Sequence, residues 1–186
     1  MTKILGVAGS LRSGSFNAAL LRAAAELMPA GSTLESGTIH GIPLYNFDVE
    51  QQGIPAAVAR LKEQITQADG LLLVTPEYNN SIPGVFKNAI DWLSRPPPDA
   101  PRIFRGRAVT LIGASPGNFG TISAQRAWLP VLRTLRTRPW FGAPLYVAEA
   151  AKVFDDAGRL IDESVRRRLA ELLEGFVQFV TQSVGH

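Results

Sequence analysis

The chain reads as an α/β protein: a doubly wound parallel sheet with helices on both faces. Three observations carry that reading. Strand-like and helix-like segments alternate along the 186 residues. The strongest strand segments are apolar without polar alternation, as in Gly70-Leu71-Leu72-Leu73-Val74-Thr75, so both their faces need cover, and helices supply it in a parallel sheet. The three unusual loops, 9–17, 76–83 and 115–121, each follow a strand segment, the end at which open α/β sheets bind ligands.

Each element has a local reason. Residues 3–8 are the first strand and 16–28 the first helix, closed by Pro29 and Gly31. Residues 33–39 give a second strand of weaker pattern, and 55–68 a helix with Pro55 suited to its first turn. The third strand, 70–75, is followed by a helix over 83–94, again opened by proline. Residues 108–114 form the fourth strand, and 122–136 a helix that Pro130 should bend or interrupt. A fifth strand is expected over 143–148. The last helix, about 162–183, carries Leu169, Leu172, Leu173, Phe176 and Val180 at helical spacing. Pro96-Pro97-Pro98 reads as a stiff connector. No linker or repeat divides the chain, so one domain over 1–186 is expected, long enough for a substantial core.

Composition narrows the chemistry. The hydrophobic share of 46% and charged share of 19% are those of a globular soluble protein. No apolar run reaches the length of a membrane span, and the N-terminus lacks a signal-peptide pattern; a cytoplasmic location without membrane contact is expected. With no cysteine, disulfides, thiolate catalysis and thiolate-held metal centres are excluded. His40 and His186 are the only histidines, little material for a His-rich metal site or a Ser-His-Asp triad. No metal site is expected, and chemistry beyond binding falls to a cofactor. The net charge of +3 suits a phosphate-bearing ligand. The run Arg166-Arg167-Arg168 reads as a solvated helix face rather than a nucleic-acid patch.

The segment Gly9-Ser10-Leu11-Arg12-Ser13-Gly14-Ser15-Phe16-Asn17 joins the first strand to the first helix. The first N–H groups of a helix lack internal partners, and the helix dipole places partial positive charge there. Ser10, Ser13 and Ser15 add hydroxyl donors and Arg12 a full charge. The loop therefore points to a phosphorylated ligand, although neither a Walker loop nor Gly-x-Gly-x-x-Gly is present. The plainer alternative is an ordinary helix start with Ser15 as N-cap. Residues 75–84, Thr-Pro-Glu-Tyr-Asn-Asn-Ser-Ile-Pro-Gly, gather a carboxylate, an aromatic ring, two amides and a hydroxyl, groups that suit the faces and edge of a flat heteroaromatic ligand. The alternative is a polar turn with Tyr78 packed locally. After the fourth strand comes Ser115-Pro116-Gly117-Asn118-Phe119-Gly120-Thr121, where glycines let backbone approach a ligand closely; a plain turn fits equally well.

These loops together, with Ile42-Pro43-Leu44-Tyr45, Asp69 and Ser81-Ile-Pro-Gly-Val-Phe-Lys-Asn-Ala-Ile-Asp-Trp-Leu-Ser-Arg95, resemble the NADPH-dependent FMN reductase family, in particular its bacterial chromate/quinone reductase branch. The resemblance spans nearly the whole chain in order and spacing. It implies a flavodoxin-like three-layer sandwich with a five-stranded parallel sheet of order 2-1-3-4-5, non-covalent FMN, NADPH or NADH as reductant, and a homodimer or homotetramer. It implies that Ser10, Arg12, Ser15, Phe16 and Asn17 hold the FMN phosphate, that Pro76, Glu77, Tyr78 and Asn79 line the isoalloxazine, and that Ser115 and Gly117 belong to a third flavin loop. The expected activity is ping-pong hydride transfer to a small-molecule electron acceptor: a quinone, azo dye, nitroaromatic or metal oxyanion such as chromate. The sequence departs from the branch pattern at Asn80, often Tyr, and at Thr121 and Ser123, where Gly-Gly is often followed by Arg. Glu77 reads as an orienting residue rather than a catalytic acid, and Trp92 as core or interface. Two rivals remain: a flavodoxin-like electron carrier without its own NAD(P)H turnover, against which the basic balance argues, and a flavin-free protein for another phosphorylated ligand.

Overall fold

Period-two alternation along the central strands sorts the core into two halves. The computed structural model describes residues 1–182. In chain order the elements are β1 (Thr2–Ala8), α1 (Phe16–Glu26), β2 (Ser32–Gly37), α2 (Phe47–Gln51), α3 (Ala56–Gln67), β3 (Gly70–Val74), α4 (Gly84–Leu93), α5 (Asp99–Phe104), β4 (Ala108–Ala114), α6 (Ile122–Thr134), β5 (Arg138–Pro139), β6 (Leu145–Val147), α7 (Ala150–Val153) and α8 (Glu163–Thr181). Ile4, Leu72, Val74 and Ile112 meet Leu20, Ala24, Leu172 and Phe176 on the face covered by α1 and α8. Leu5, Val7, Leu71, Leu73 and Leu111 meet Val58, Leu61, Phe86, Ile90 and Trp128 on the face covered by α3, α4 and α6. Every residue of β3 and β4 is buried, which the apolar strand pattern requires.

All strand pairs are parallel, in the order β2-β1-β3-β4-β5, with β6 also paired to β4. The register sets Val7 beside Leu73 and Val74 beside Ile112. The strands after which the three unusual loops begin therefore finish side by side. The expected 2-1-3-4-5 order is found.

The structure departs from expectation at the edges. Instead of one fifth strand over 143–148, the sheet edge is two short pieces, β5 and β6, so the described residues form six strands. Proline has no N–H to give to a ladder, and Pro139 and Pro144 flank the break; between them Trp140 N–H still donates to Val109 O at 2.8 Å. The second strand stops at Gly37 rather than at 39. The short helices α2, α5 and α7 were not anticipated, because four to six residues are too few to display a helical period. Pro98, expected in a plain connector, stands at the N-terminus of α5. Pro130 does not interrupt α6; it lies on the exposed side, where water can satisfy the carbonyl its missing N–H leaves free. The last helix is described through Thr181; residue 183 of its expected range, like His186, lies outside the described residues.

Candidate functional site

The first loop leaves β1 at Gly9, whose N–H donates to Val74 O at 2.9 Å. A Cβ at Gly9 would stand 2.1 Å from Phe86 Cδ1, so only glycine lets the loop lie on the buried Phe86 ring. Ser15 is the N-cap of α1, its Oγ accepting from Asn17 N–H at 3.2 Å and Ala18 N–H at 3.4 Å. That satisfies the plainer reading without removing the other, because the Ser15 hydroxyl hydrogen is still available to donate. Ser10 Oγ accepts from Arg12 N–H at 3.3 Å, and the exposed Arg12 guanidinium lies 5.5 Å from the Phe16 ring centroid. Phe16 is backed by Phe154 at 6.0 Å. Among the described residues, the backbone N–H groups of Leu11, Ser13, Gly14 and Phe16 have no hydrogen-bond partner.

Asn17 is a clamp. Its Nδ2 donates to Ala114 O at 2.8 Å, and its Oδ1 accepts from Ala114 N–H at 2.9 Å. The side chain is buried and ties α1 to the end of β4. One amide hydrogen is left for a ligand.

The second loop is held by α6 at two points one helical turn apart. Trp128 Nε1 donates to Thr75 Oγ1 at 3.0 Å, and Thr75 Oγ1 donates to Pro76 O at 2.8 Å. Glu77 Oε2 accepts from Ala124 N–H at 2.9 Å, in the first turn of α6. Beyond Glu77 the chain reverses: Tyr78 and Ser81 exchange N–H to O bonds of 3.1 and 3.0 Å across Asn79 and Asn80. Both central residues have positive φ, 50° and 57°, as a type I′ turn demands, and asparagine tolerates that region better than most residues. Asn80, where the branch often has tyrosine, thus fits its backbone. Tyr78 stands 47% exposed at the turn.

In the third loop Ser115 Oγ donates to Gly120 O at 2.7 Å, and Gly117 O accepts from Glu149 N–H at 3.0 Å. Gly120 rather than Gly117 is the constrained glycine: its φ is 62° and a Cβ there would meet Tyr146 at 2.9 Å, whereas one at Gly117 would find only Ser115 Oγ, at 3.9 Å. Thr121 is buried, and its Oγ1 accepts from Gln125 Nε2 at 3.1 Å.

The 42–45 segment is fastened to α4. Asn88 Nδ2 donates to Pro43 O and Asn88 Oδ1 accepts from Tyr45 N–H, both at 2.8 Å. Glu50 Oε2 accepts from Arg95 Nε at 2.9 Å and from the Tyr45 hydroxyl at 2.7 Å. The Arg95 bond first, and the tyrosine bond with it, hold the Glu50 carboxyl below its ordinary range; the same carboxylate raises the Tyr45 phenol. Trp92 is fully buried core, its Nε1 donating to Pro43 O at 2.9 Å. Lys87 pairs with Asp91 at 2.7 Å on the half-exposed face of α4.

The three loops enclose one cleft of about 400 Å³ at the C-terminal ends of β1, β3 and β4. It is lined by Ser10, Arg12, Ser15, Phe16, Asn17, Pro76, Glu77, Tyr78 and Ser115, all anticipated, together with Ala114 and Pro116. Asn79 and Gly117, also anticipated, are not among the lining residues; Asn79 shapes the turn behind Tyr78. Ala114 and Pro116 carried no chemical signal in the sequence, and only their adjacency to Ser115 could have suggested them. The donor set fits FMN: free loop N–H groups, a helix N-terminus and one arginine for the phosphate, and an exposed aromatic ring with turn backbone for a flat ring system.

A parallel 2-1-3-4-5 sheet with helices on both faces and three loops meeting at the strand ends defines a flavodoxin-like protein. The chain belongs to the NADPH-dependent FMN reductase family, which its residues 2–152 match. It is 45% identical over 183 residues to an NAD(P)H-dependent FMN reductase of Pseudomonas aeruginosa, covering 98% of this chain and 97% of that protein. It is 38% identical over 182 residues to a quinone reductase of Escherichia coli, covering 96% and 95% respectively. Among solved structures it resembles FerB, a flavoenzyme NAD(P)H:(acceptor) oxidoreductase from Paracoccus denitrificans, with a TM-score of 0.87, 31% identity and 98% coverage of both chains.

Proposed function

We propose that this FMN-dependent NAD(P)H oxidoreductase reduces quinone-type acceptors in two half-reactions at one site. The observation that carries the reading is the cleft itself: nine of the expected residues, from three separate loops, converge on one cavity with Arg12 and the start of α1 at one end and Tyr78 at the other. Bound FMN supplies the hydride-transfer chemistry. The chain's residues bind and orient. Arg12, the Ser10 and Ser15 hydroxyls and the unpartnered N–H groups of the first loop take the phosphate. The turn at 78–81 presents the Tyr78 ring and backbone groups to the flat end. No side chain has to act as nucleophile or proton donor. Reductant and acceptor take turns at the one cleft, which gives ping-pong kinetics. Quinones are the first acceptors to assay, given the quinone reductase relative; azo dyes, nitroaromatics and chromate follow. The assembly proposed is a homodimer or homotetramer, which sedimentation velocity tests. Among the described residues, no helix is long and apolar enough to cross a membrane.

The deciding experiment is the visible spectrum of the purified protein, followed by anaerobic NADPH and then NADH. Flavin bands that bleach and recover on adding a quinone support the proposal. Flavin bands that stay unbleached by both reductants favour an electron carrier. No flavin, even after incubation with FMN, overturns the reading.

A further inference from the structure

We infer that Glu77 is a positioning residue that lowers the reduction potential of the bound flavin by cancelling the positive end of α6, which its carboxylate meets at Ala124 behind the cleft lining; the inference rests on the FMN site proposed above. Glu77 belongs to the cleft lining. Its carboxylate does not reach out to solvent cations: its Oε2 accepts from Ala124 N–H at 2.9 Å, 47 positions further along the chain. Thr121, at the N-terminus of α6, provides no side-chain cap, and the first turn of the helix contains no acidic residue. An uncapped helix start carries roughly half a positive charge. Glu77 is therefore the anionic partner that α6 lacks in its own sequence, supplied from the loop that lines the flat end of the cleft.

Two consequences follow from one contact. The bond fixes the 76–81 turn to α6, complementing the Trp128–Thr75 bond one helical turn on. The charge also balances the helix end. Reduction adds negative charge to a flavin, so an uncompensated helix N-terminus nearby would bind reduced FMN better than oxidised FMN. Glu77 removes that bias and keeps the flavin a stronger reductant toward its acceptors.

Two variants separate the charge from the reach. Glu77→Gln keeps an acceptor oxygen for Ala124 N–H and loses the charge. Oxidised FMN should bind within about threefold of wild type, while the preference for reduced over oxidised FMN rises about tenfold, equal to about +30 mV for a two-electron couple. Glu77→Asp keeps the charge and shortens the reach: oxidised FMN should bind more weakly, with the potential nearer to wild type than that of Glu77→Gln. Midpoint potentials come from spectroelectrochemical titration and affinities from flavin fluorescence quenching. A wild-type potential in Glu77→Gln overturns the inference and leaves Glu77 a structural cap. A wild-type protein that binds no FMN would instead sink the proposed site, so the two failures are distinguishable.

Discussion

Arg12, Asn17 and Lys62 show three uses of a polar side chain in this protein, and each leads to a measurement. Arg12 is exposed and in contact with the Phe16 ring, so it is free to meet a phosphate. Arg12→Ala should remove a charge-assisted bond of about 1.5–3 kcal/mol, weakening FMN binding by roughly 10- to 150-fold with little change in folding stability; an unchanged affinity would remove Arg12 from the phosphate site. Asn17 is committed to the Ala114 backbone. Asn17→Ala leaves both Ala114 groups without their partner in a buried setting and should cost about 1–3 kcal/mol of stability, read as a lower urea midpoint of the apo protein. Lys62 is buried and donates to the Arg95 carbonyl and, at 2.7 Å, to Asp99. The lysine bond, foremost, holds the Asp99 carboxyl below its ordinary value. A carboxyl depressed by folding stabilises the fold above its unfolded value, about 3.9, and that stability is lost as pH falls through the lower folded value. Asp99→Asn should therefore lower the urea midpoint at pH 7, and the gap from wild type should narrow below about pH 4.

At the scale of elements, the recurring device is one element anchoring another's loop. Helix α6 holds the second loop through Ala124 and Trp128, α1 holds the end of β4 through Asn17, and α4 holds the 42–45 segment through Asn88. The turn at 78–81 depends on its own residues instead. Asn80 has a φ of 57°, a region that costs an ordinary L-residue about 1–2 kcal/mol. Asn80→Val should destabilise by about that amount and weaken FMN binding, whereas Asn80→Gly should leave the melting temperature of the apo protein near wild type. Equal effects of the two substitutions would show that backbone conformation is not what selects this residue. Elements with a full period were legible in the sequence: the ranges expected for β1, β3, β4, α1 and α3 differ from those found by at most two residues at either end. The split edge and the helices of four to six residues were not, because so short a segment is set by its neighbours rather than by its own pattern.

For the molecule as a whole, the sheet brings three loops to one end while two separate apolar layers pack on its faces. The cleft exists only where loops from three strands meet, so FMN should bind the folded chain alone and stabilise it by simple linkage. At free FMN about 100 times its dissociation constant the gain is about 2.7 kcal/mol, and thermal melts of apo and FMN-loaded protein should differ accordingly. Melts that coincide at saturating FMN would mean that the folded and unfolded chains bind it equally, against a preformed site.

The sequence alone determined the fold class, the order of the long elements, and the three loops that line the cleft, because hydrophobic period, helix-start chemistry and loop composition are local properties of the chain. The family resemblance in those same residues extended this to FMN. Tertiary structure decided what each side chain in the loops does. Glu77 finds Ala124 at a separation of 47 residues, and Asn17 finds Ala114 at 97. A carboxylate or an amide in a loop announces that it needs partners, but which partners it meets is fixed only when parallel strands far apart in sequence end side by side.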